Sequence, residues 1–136
     1  MTAGPALRAA DLSLIHLVAA RRRGEPAAPL DPAAVTALID GLAEDPPASP
    51  RTAFDRSARL TAAMAGLAPG PLGRQVAMLA LLCQLRLDGY QLTAPQGVLA
   101  AMVAAVAERP EETDALARWL EDRALAYAPP GPEVGW

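Results

Sequence analysis

The feature that most constrains the fold is the apolar stretch from Leu72 to Leu87. Its apolar residues point in nearly every direction around a helical period, which is typical of a helix enclosed by its neighbours. Hydrophobic residues make up 52% of the chain but aromatic residues only 4%, so Ala, Leu and Val must fill the core, and this favours closely packed helices over sheets. A length of 136 residues suits one core. The sequence therefore predicts a single all-α domain with a buried central helix.

Prolines, glycines and capping residues divide the remaining chain into further helices. Asp31-Pro32 and Ser49-Pro50 are start signals, Gly24 is a stop signal, and Thr93 to Gln96 has the spacing of a capping box. We predict about six helices, over residues 10–23, 32–43, 50–67, 72–87 and 98–107 and from Pro110 onwards. The helical domain is predicted to cover residues 1–127, and three prolines and two glycines predict an irregular tail over 128–136.

The charge balance argues against two classes of partner. The net charge is −3, which gives no general attraction to nucleic acid or to anionic membranes. The longest apolar run, Val98 to Ala107, has half of the roughly 20 residues that a spanning helix needs. A single cysteine and the lack of a signal-peptide pattern lead us to expect a cytoplasmic protein.

Few residues can support catalysis. His16 is the only histidine and falls on the apolar stripe of the first helix, where a core or boundary position is the favoured interpretation over a catalytic base. Cys83 lies in an apolar run, which favours a buried, inert thiol. The sequence has no CxxC, HExxH, GxGxxG or P-loop motif, so we expect neither a metal nor a cofactor. All twelve basic residues are Arg, and the chain contains neither Lys nor Asn.

Two charged groups are explained by helix ends alone. Arg21 to Arg23 could contact phosphate, but cationic residues are favoured in the last turn of any helix. Glu111, Glu112 and Asp114 lie at a helix start, where the helix dipole favours acids. We interpret both groups as capping charges.

The best candidate for a ligand site is the loop from Pro69 to Gln75. It precedes the central helix, whose free N–H groups and positive dipole end can hold an anion. The predicted ligand-binding residues are Gly70, Gly73, Arg74 and Gln75: the glycines let a ligand approach the backbone, Arg74 adds a charge-assisted contact and Gln75 a hydrogen bond. An ordinary turn between helices is the alternative.

The order of these features resembles the Doc (death-on-curing) branch of the Fic family, which are small all-helical bacterial toxins usually encoded beside an antitoxin. The resemblance covers roughly residues 7 to 125. The stretch AFDRSARLTAAMAGL is similar to the helix before the family's active loop, VAMLALLCQLRLDGYQLTAP to its central helix with the following Asn-Gly and extended turn, and DALARWLEDRA to its closing helix. The first two predicted helices are similar to the family's opening pair.

The family's diagnostic loop, His-x-Phe-x-Asp/Ala-Gly-Asn-Lys-Arg, is missing. Counting back from Asp88-Gly89, its histidine falls on Leu67 and its Asn-Lys-Arg on Gly73, Arg74 and Gln75. The resemblance implies transfer of AMP or phosphate from a nucleotide to a protein hydroxyl, with that histidine as general base. Loss of a general base costs about 10²- to 10⁴-fold in rate, so the sequence predicts that this activity is lost.

Two functional hypotheses follow from this combination. The first is a noncatalytic Doc-like protein that binds a small protein partner, such as an antitoxin-like chain or the product of a neighbouring gene. The second is a reused pocket that binds a small anionic ligand or catalyses a different reaction. A relic that folds and does little is a third possibility.

Overall fold

The computed structural model describes residues 7–25, 30–44, 52–67 and 70–126. Its elements are α1 (Ala9–Arg22), α2 (Pro32–Glu44), α3 (Thr52–Leu67), α4 (Gly70–Leu87), β1 (Tyr90–Leu92), α5 (Gln96–Glu108), a 3₁₀ turn (Pro110–Glu112), α6 (Thr113–Arg123) and β2 (Ala124–Ala126). The all-α prediction is confirmed, with six helices in the described ranges. The predicted Ser49-Pro50 start and the tail over 128–136 lie outside those residues.

Helix ends follow the sequence signals in two places. The Ala33 N–H donates to Asp31 Oδ1 at 3.1 Å, so Asp31 caps α2 ahead of a first-turn proline. At the end of α1, Gly24 takes a φ of +68°, and the N–H of Glu25 donates to the Ala20 carbonyl at 3.0 Å. This 6→1 bond is the Schellman arrangement that glycine favours.

The predicted capping box at Thr93 is wrong. Pro95 precedes α5 without a side-chain cap, and the Thr93 hydroxyl and N–H instead donate to the Arg123 carbonyl at 2.7 and 2.9 Å. These bonds join two extended segments that sequence analysis did not predict to pair. β1 and β2 form an antiparallel ribbon with Tyr90 opposite Ala126, and the Tyr90 ring packs on Phe54 of α3 at a centroid distance of 4.8 Å.

Helix α4 lies at the centre of the packing, as predicted, and contacts α1, α3, α5 and β1. It begins at Gly70, two residues before the predicted start, so that Gly70 and Pro71 belong to its first turn. Small side chains are buried where α3 and α4 pack together: Ala58 of α3 and Ala77 and Ala80 of α4 are fully buried. Such side chains allow helix axes to approach closely.

One stripe of α4 is not covered, contrary to the prediction of a helix enclosed on all sides. Leu79 and Leu82 are half-buried, and Cys83, Arg86 and Leu87 are exposed. These residues recur at helical spacing and therefore share one face. The central helix is buried on most of its circumference and open along this stripe.

Truncating the core of α4 should destabilise the domain far more than truncating its open stripe. We expect Leu81→Ala, at 0% exposure, to lower the free energy of unfolding by about 2–5 kcal/mol, because it leaves a cavity. Leu87→Ala on the same helix, at 41% exposure, should lower it by less than about 1 kcal/mol. Urea titration measures both variants, and equal losses would contradict this packing.

Candidate functional site

The predicted ligand residues lie in the first two turns of α4 rather than in a loop. Gly70 is exposed at the helix start with a φ of +70°, whereas Gly73 is buried in the core. Arg74 and Gln75 are both half-buried on the following turn. The predicted loop from Pro69 to Gln75 overlaps the predicted helix from Leu72, and the structure places all of residues 70–75 in α4, so the loop prediction is wrong for residues 70 and 71. Pro69 lies outside the described residues. Because Gly73 is buried, a ligand in solvent cannot reach it.

One of the predicted ligand side chains at this end of α4, Gln75, already has a hydrogen-bond partner at the end of α1. Arg23 Nη1 donates to Gln75 Oε1 at 3.5 Å, and Arg23 Nε pairs with Glu25 at 3.3 Å. Arg74 has no ion pair or hydrogen bond with its side chain among the described residues. Of the four predicted ligand residues, Arg74 alone offers an uncommitted charge.

The opposite end of α4 carries a buried polar network that sequence analysis missed. Arg56 of α3 donates through Nη2 to Asp88 Oδ1, with side-chain exposures of 16% and 6%. Gln84 Nε2 donates to Asp88 Oδ2 at 3.2 Å, and Gln84 Oε1 accepts from the Leu7 N–H at 3.0 Å. The network therefore ties α3, α4 and the segment before α1 to one another.

Sequence signals for this network were weak but present. Arg56 lies next to the apolar stripe of its helix, and Asp88 stands before Gly89 in a pair that is typical of a turn. A polar glutamine at position 84, inside the most apolar stretch of the chain, was the strongest indication. Only 2% of the Gln84 surface is exposed, and a buried amide requires hydrogen-bond partners.

Burial raises the pKa of the Asp88 carboxyl, and the hydrogen bond from Gln84 and the charge of Arg56 oppose this effect only in part. A charged carboxylate loses its hydration when it is buried, which explains the direction. The unfavourable desolvation thus outweighs the favourable contacts at this position.

An open groove lies beside the network, between the start of α1 and the uncovered stripe of α4. Its walls are mostly apolar, its volume is about 430 Å³, and the lining residues are Leu7, Asp11, Leu82, Cys83, Arg86 and Leu87. The hydrogen bond from Leu7 to Gln84 fixes one wall against the other. A groove with apolar walls and a carboxylate and a guanidinium at its rim suits an amphipathic peptide segment.

The thiol in this groove is not positioned for nucleophilic chemistry. Cys83 is exposed, so the predicted buried position is wrong: the residue lies on the stripe of α4 that no helix of the described residues covers. Partial burial of the thiol and the nearby charge of Asp11 raise its pKa, which keeps the thiol protonated near neutral pH. The prediction of an inert thiol agrees with this shift.

The other singled-out residues have structural positions. His16 is 5% exposed within the core side of α1, which confirms a core or boundary position. Arg21 and Arg22 occupy the last turn of α1, and Glu111, Glu112 and Asp114 occupy the start of the 3₁₀ turn and α6, as predicted. Within the described residues, no group of three His, Cys, Asp or Glu side chains could hold a metal ion. No helix in that part of the chain is long and apolar enough to cross a membrane.

No protein-family model, curated protein or solved structure matches this chain.

The raised pKa of Asp88 predicts how stability depends on pH. Between the ordinary carboxyl pKa, about 3.9, and the raised value, the folded chain holds a proton that the unfolded chain releases. The contribution of Asp88 to stability is therefore largest at low pH and declines as pH rises through that interval. We expect the free energy of unfolding of the wild type, minus that of Asp88→Asn, to fall as the pH rises above the ordinary carboxyl pKa of about 4.

Urea titrations at a series of pH values measure this difference. A Gln84→Met variant is the matched control, because it removes the hydrogen bond from Gln84 but keeps the Asp88 carboxyl. The free energy of unfolding of Gln84→Met, minus that of Asp88→Asn, should therefore also fall as the pH rises. A difference that instead rises with pH would show that the Arg56 charge outweighs desolvation.

Proposed function

We propose that this protein is a noncatalytic Doc-like helical protein that binds a small protein partner through the groove between α1 and α4. The observation that carries the proposal is the uncovered apolar stripe of α4, because a central helix with exposed Leu87 and half-buried Leu82 leaves apolar surface for a partner to bury. The partner segment would present apolar residues to Leu7, Leu82 and Leu87 and charges to Asp11 and Arg86. The partner we propose is an antitoxin-like chain or the product of a neighbouring gene.

The order of elements supports the Doc-like part of the proposal. A long helix, α3, leads into the central helix α4, which ends at Asp88-Gly89 and is followed by a short extended segment and two further helices. This is the order that the resemblance implies. The family motif is absent from the sequence, and Leu67, at the position of its catalytic histidine, cannot accept a proton. Loss of catalysis with retention of the scaffold favours a binding role.

Partner binding predicts a defined complex. Co-expression of the chain with the product of each adjacent gene should give one complex that survives size-exclusion chromatography. Leu82→Glu should abolish that complex, because it places a charge against an apolar contact. Val98→Glu, at an exposed apolar position on α5, is the matched control and should leave the complex intact. Failure of every neighbouring product to bind, or loss of binding in the control alone, would contradict the proposal.

Loss of transferase chemistry predicts that no label is transferred in a nucleotide-labelling assay. The protein incubated with ATP labelled in its α- or γ-phosphate and a whole-cell lysate should transfer no label to any protein, since both the general base and the phosphate-binding Asn and Lys are missing. Transferred label that disappears in an Arg74→Ala variant would overturn the noncatalytic assignment. Nucleotide binding without transfer, also lost in Arg74→Ala, would favour the anionic-ligand hypothesis, in which the uncommitted Arg74 holds the phosphate.

A further inference from the structure

The solvent-facing side of α1 is apolar. Leu14, Leu17 and Val18 are 59%, 47% and 44% exposed, and Ala10 lies one turn earlier on the same side. The opposite side of the helix is also apolar and is buried in the core through Leu12, His16, Ala19 and Ala20. Single exposed apolar residues are ordinary on protein surfaces. Three large ones at i, i+3 and i+4 form a continuous patch.

A helix with apolar residues on both sides is normally covered on both sides. In the described structure, α1 packs against α4 and α2, and the residues that it buries lie on its inner side. The patch on the outer side is separate from the groove, which lies along the flank of α1 that faces α4 and includes Leu7 and Asp11. The outer patch therefore requires its own explanation.

Charges at the two ends of α1 indicate what covers the patch. Asp11 lies in the first turn, three residues before Leu14, and Arg21 and Arg22 lie in the last turn, three and four residues after Val18. The helix thus carries a central apolar patch with an acid at one end and bases at the same distance on the other. This arrangement is complementary to itself when the direction of a second helix is reversed.

Two antiparallel copies of α1 would cover the apolar patch and would also pair the charges at its two ends. Leu14 of one copy then lies against Val18 of the other, and Asp11 comes within reach of Arg21 and Arg22 of the second helix. The same contacts form twice, as an isologous two-fold interface requires, and opposed helix dipoles favour this direction. A parallel arrangement would place Arg21 and Arg22 against their own copies. We propose that the outer side of α1 is the interface of a homodimer built from antiparallel α1 helices.

Asp11 can serve this interface without losing its present contacts. Its Oδ2 accepts the Arg8 N–H at 2.9 Å and lies 3.6 Å from Arg8 Nε, whose side chain is largely exposed. A carboxylate has further acceptor positions for a second guanidinium. The dimer proposal goes beyond the proposed function and does not depend on it: partner binding uses the groove, self-association uses the outer patch, and Asp11 borders both surfaces.

Sedimentation equilibrium of the full chain over a range of concentrations tests the proposal. The wild type should have twice the monomer mass at micromolar concentration, and Leu14→Glu should have the monomer mass, because it buries two charges at the centre of the interface. Leu125→Glu, the same substitution at a 62% exposed leucine of β2, is the matched control and should remain dimeric. A monomeric wild type at hundreds of micromolar would overturn the proposal.

A charge exchange tests the antiparallel direction. Asp11→Arg should weaken the dimer by at least about tenfold, because it places like charges opposite each other twice. Adding Arg21→Glu and Arg22→Glu to that variant should restore the wild-type dissociation constant. Thermal unfolding of each variant verifies that α1 is still folded, since Asp11 bonds the backbone at its start. If the combined variant is folded but does not recover the wild-type dissociation constant, the antiparallel arrangement is overturned.

Discussion

Two helices and the segment before α1 meet at a polar network that the fold keeps almost out of water. Arg56 and Asp88 join α3 to the end of α4, and Gln84 extends that contact to the backbone of Leu7. Removing one member of a buried pair typically costs about 3–5 kcal/mol, which is a large part of the roughly 5–15 kcal/mol by which a domain is stable. The network is thus both a fastening between helices and the support of one wall of the groove.

Surface properties follow from how few elements surround α1 and α4. Six helices around a core of alanine, leucine and valine suffice to cover the inner side of each, but they leave one apolar stripe on α4 and one apolar patch on α1. The stripe borders a concave groove and the patch lies on a convex helix surface. Concave apolar surfaces receive segments of a partner, whereas a convex, self-complementary helix face suits another helix of the same kind.

Sequence reasoning recovered the helices because their periodicity and punctuation are local properties. Asp31 and Gly24 perform the capping roles that their positions indicate, and the boundaries of α1, α2 and α4 differ from expectation by at most two residues. Thr93 was misassigned because its partner, the Arg123 carbonyl, is 30 residues away. A capping pattern cannot reveal such a competitor.

The candidate site was predicted less well for the same reason. Gly70 and Pro71 are poor helix formers and therefore indicate a loop ahead of the helix predicted from Leu72, yet the helix that packs against α3 includes both residues. The Arg56–Asp88 pair joins residues 32 positions apart, and the groove depends on where α1 crosses α4. Neither property can be deduced from one segment alone.

The β-ribbon has a topological consequence. Ala126 is paired with Tyr90, and Leu7 is bonded to Gln84, so each outer limit of the described chain is tied to α4 or to the strand that follows it. Fraying of either limit must therefore break hydrogen bonds to the centre of the fold, which protects both limits against local opening.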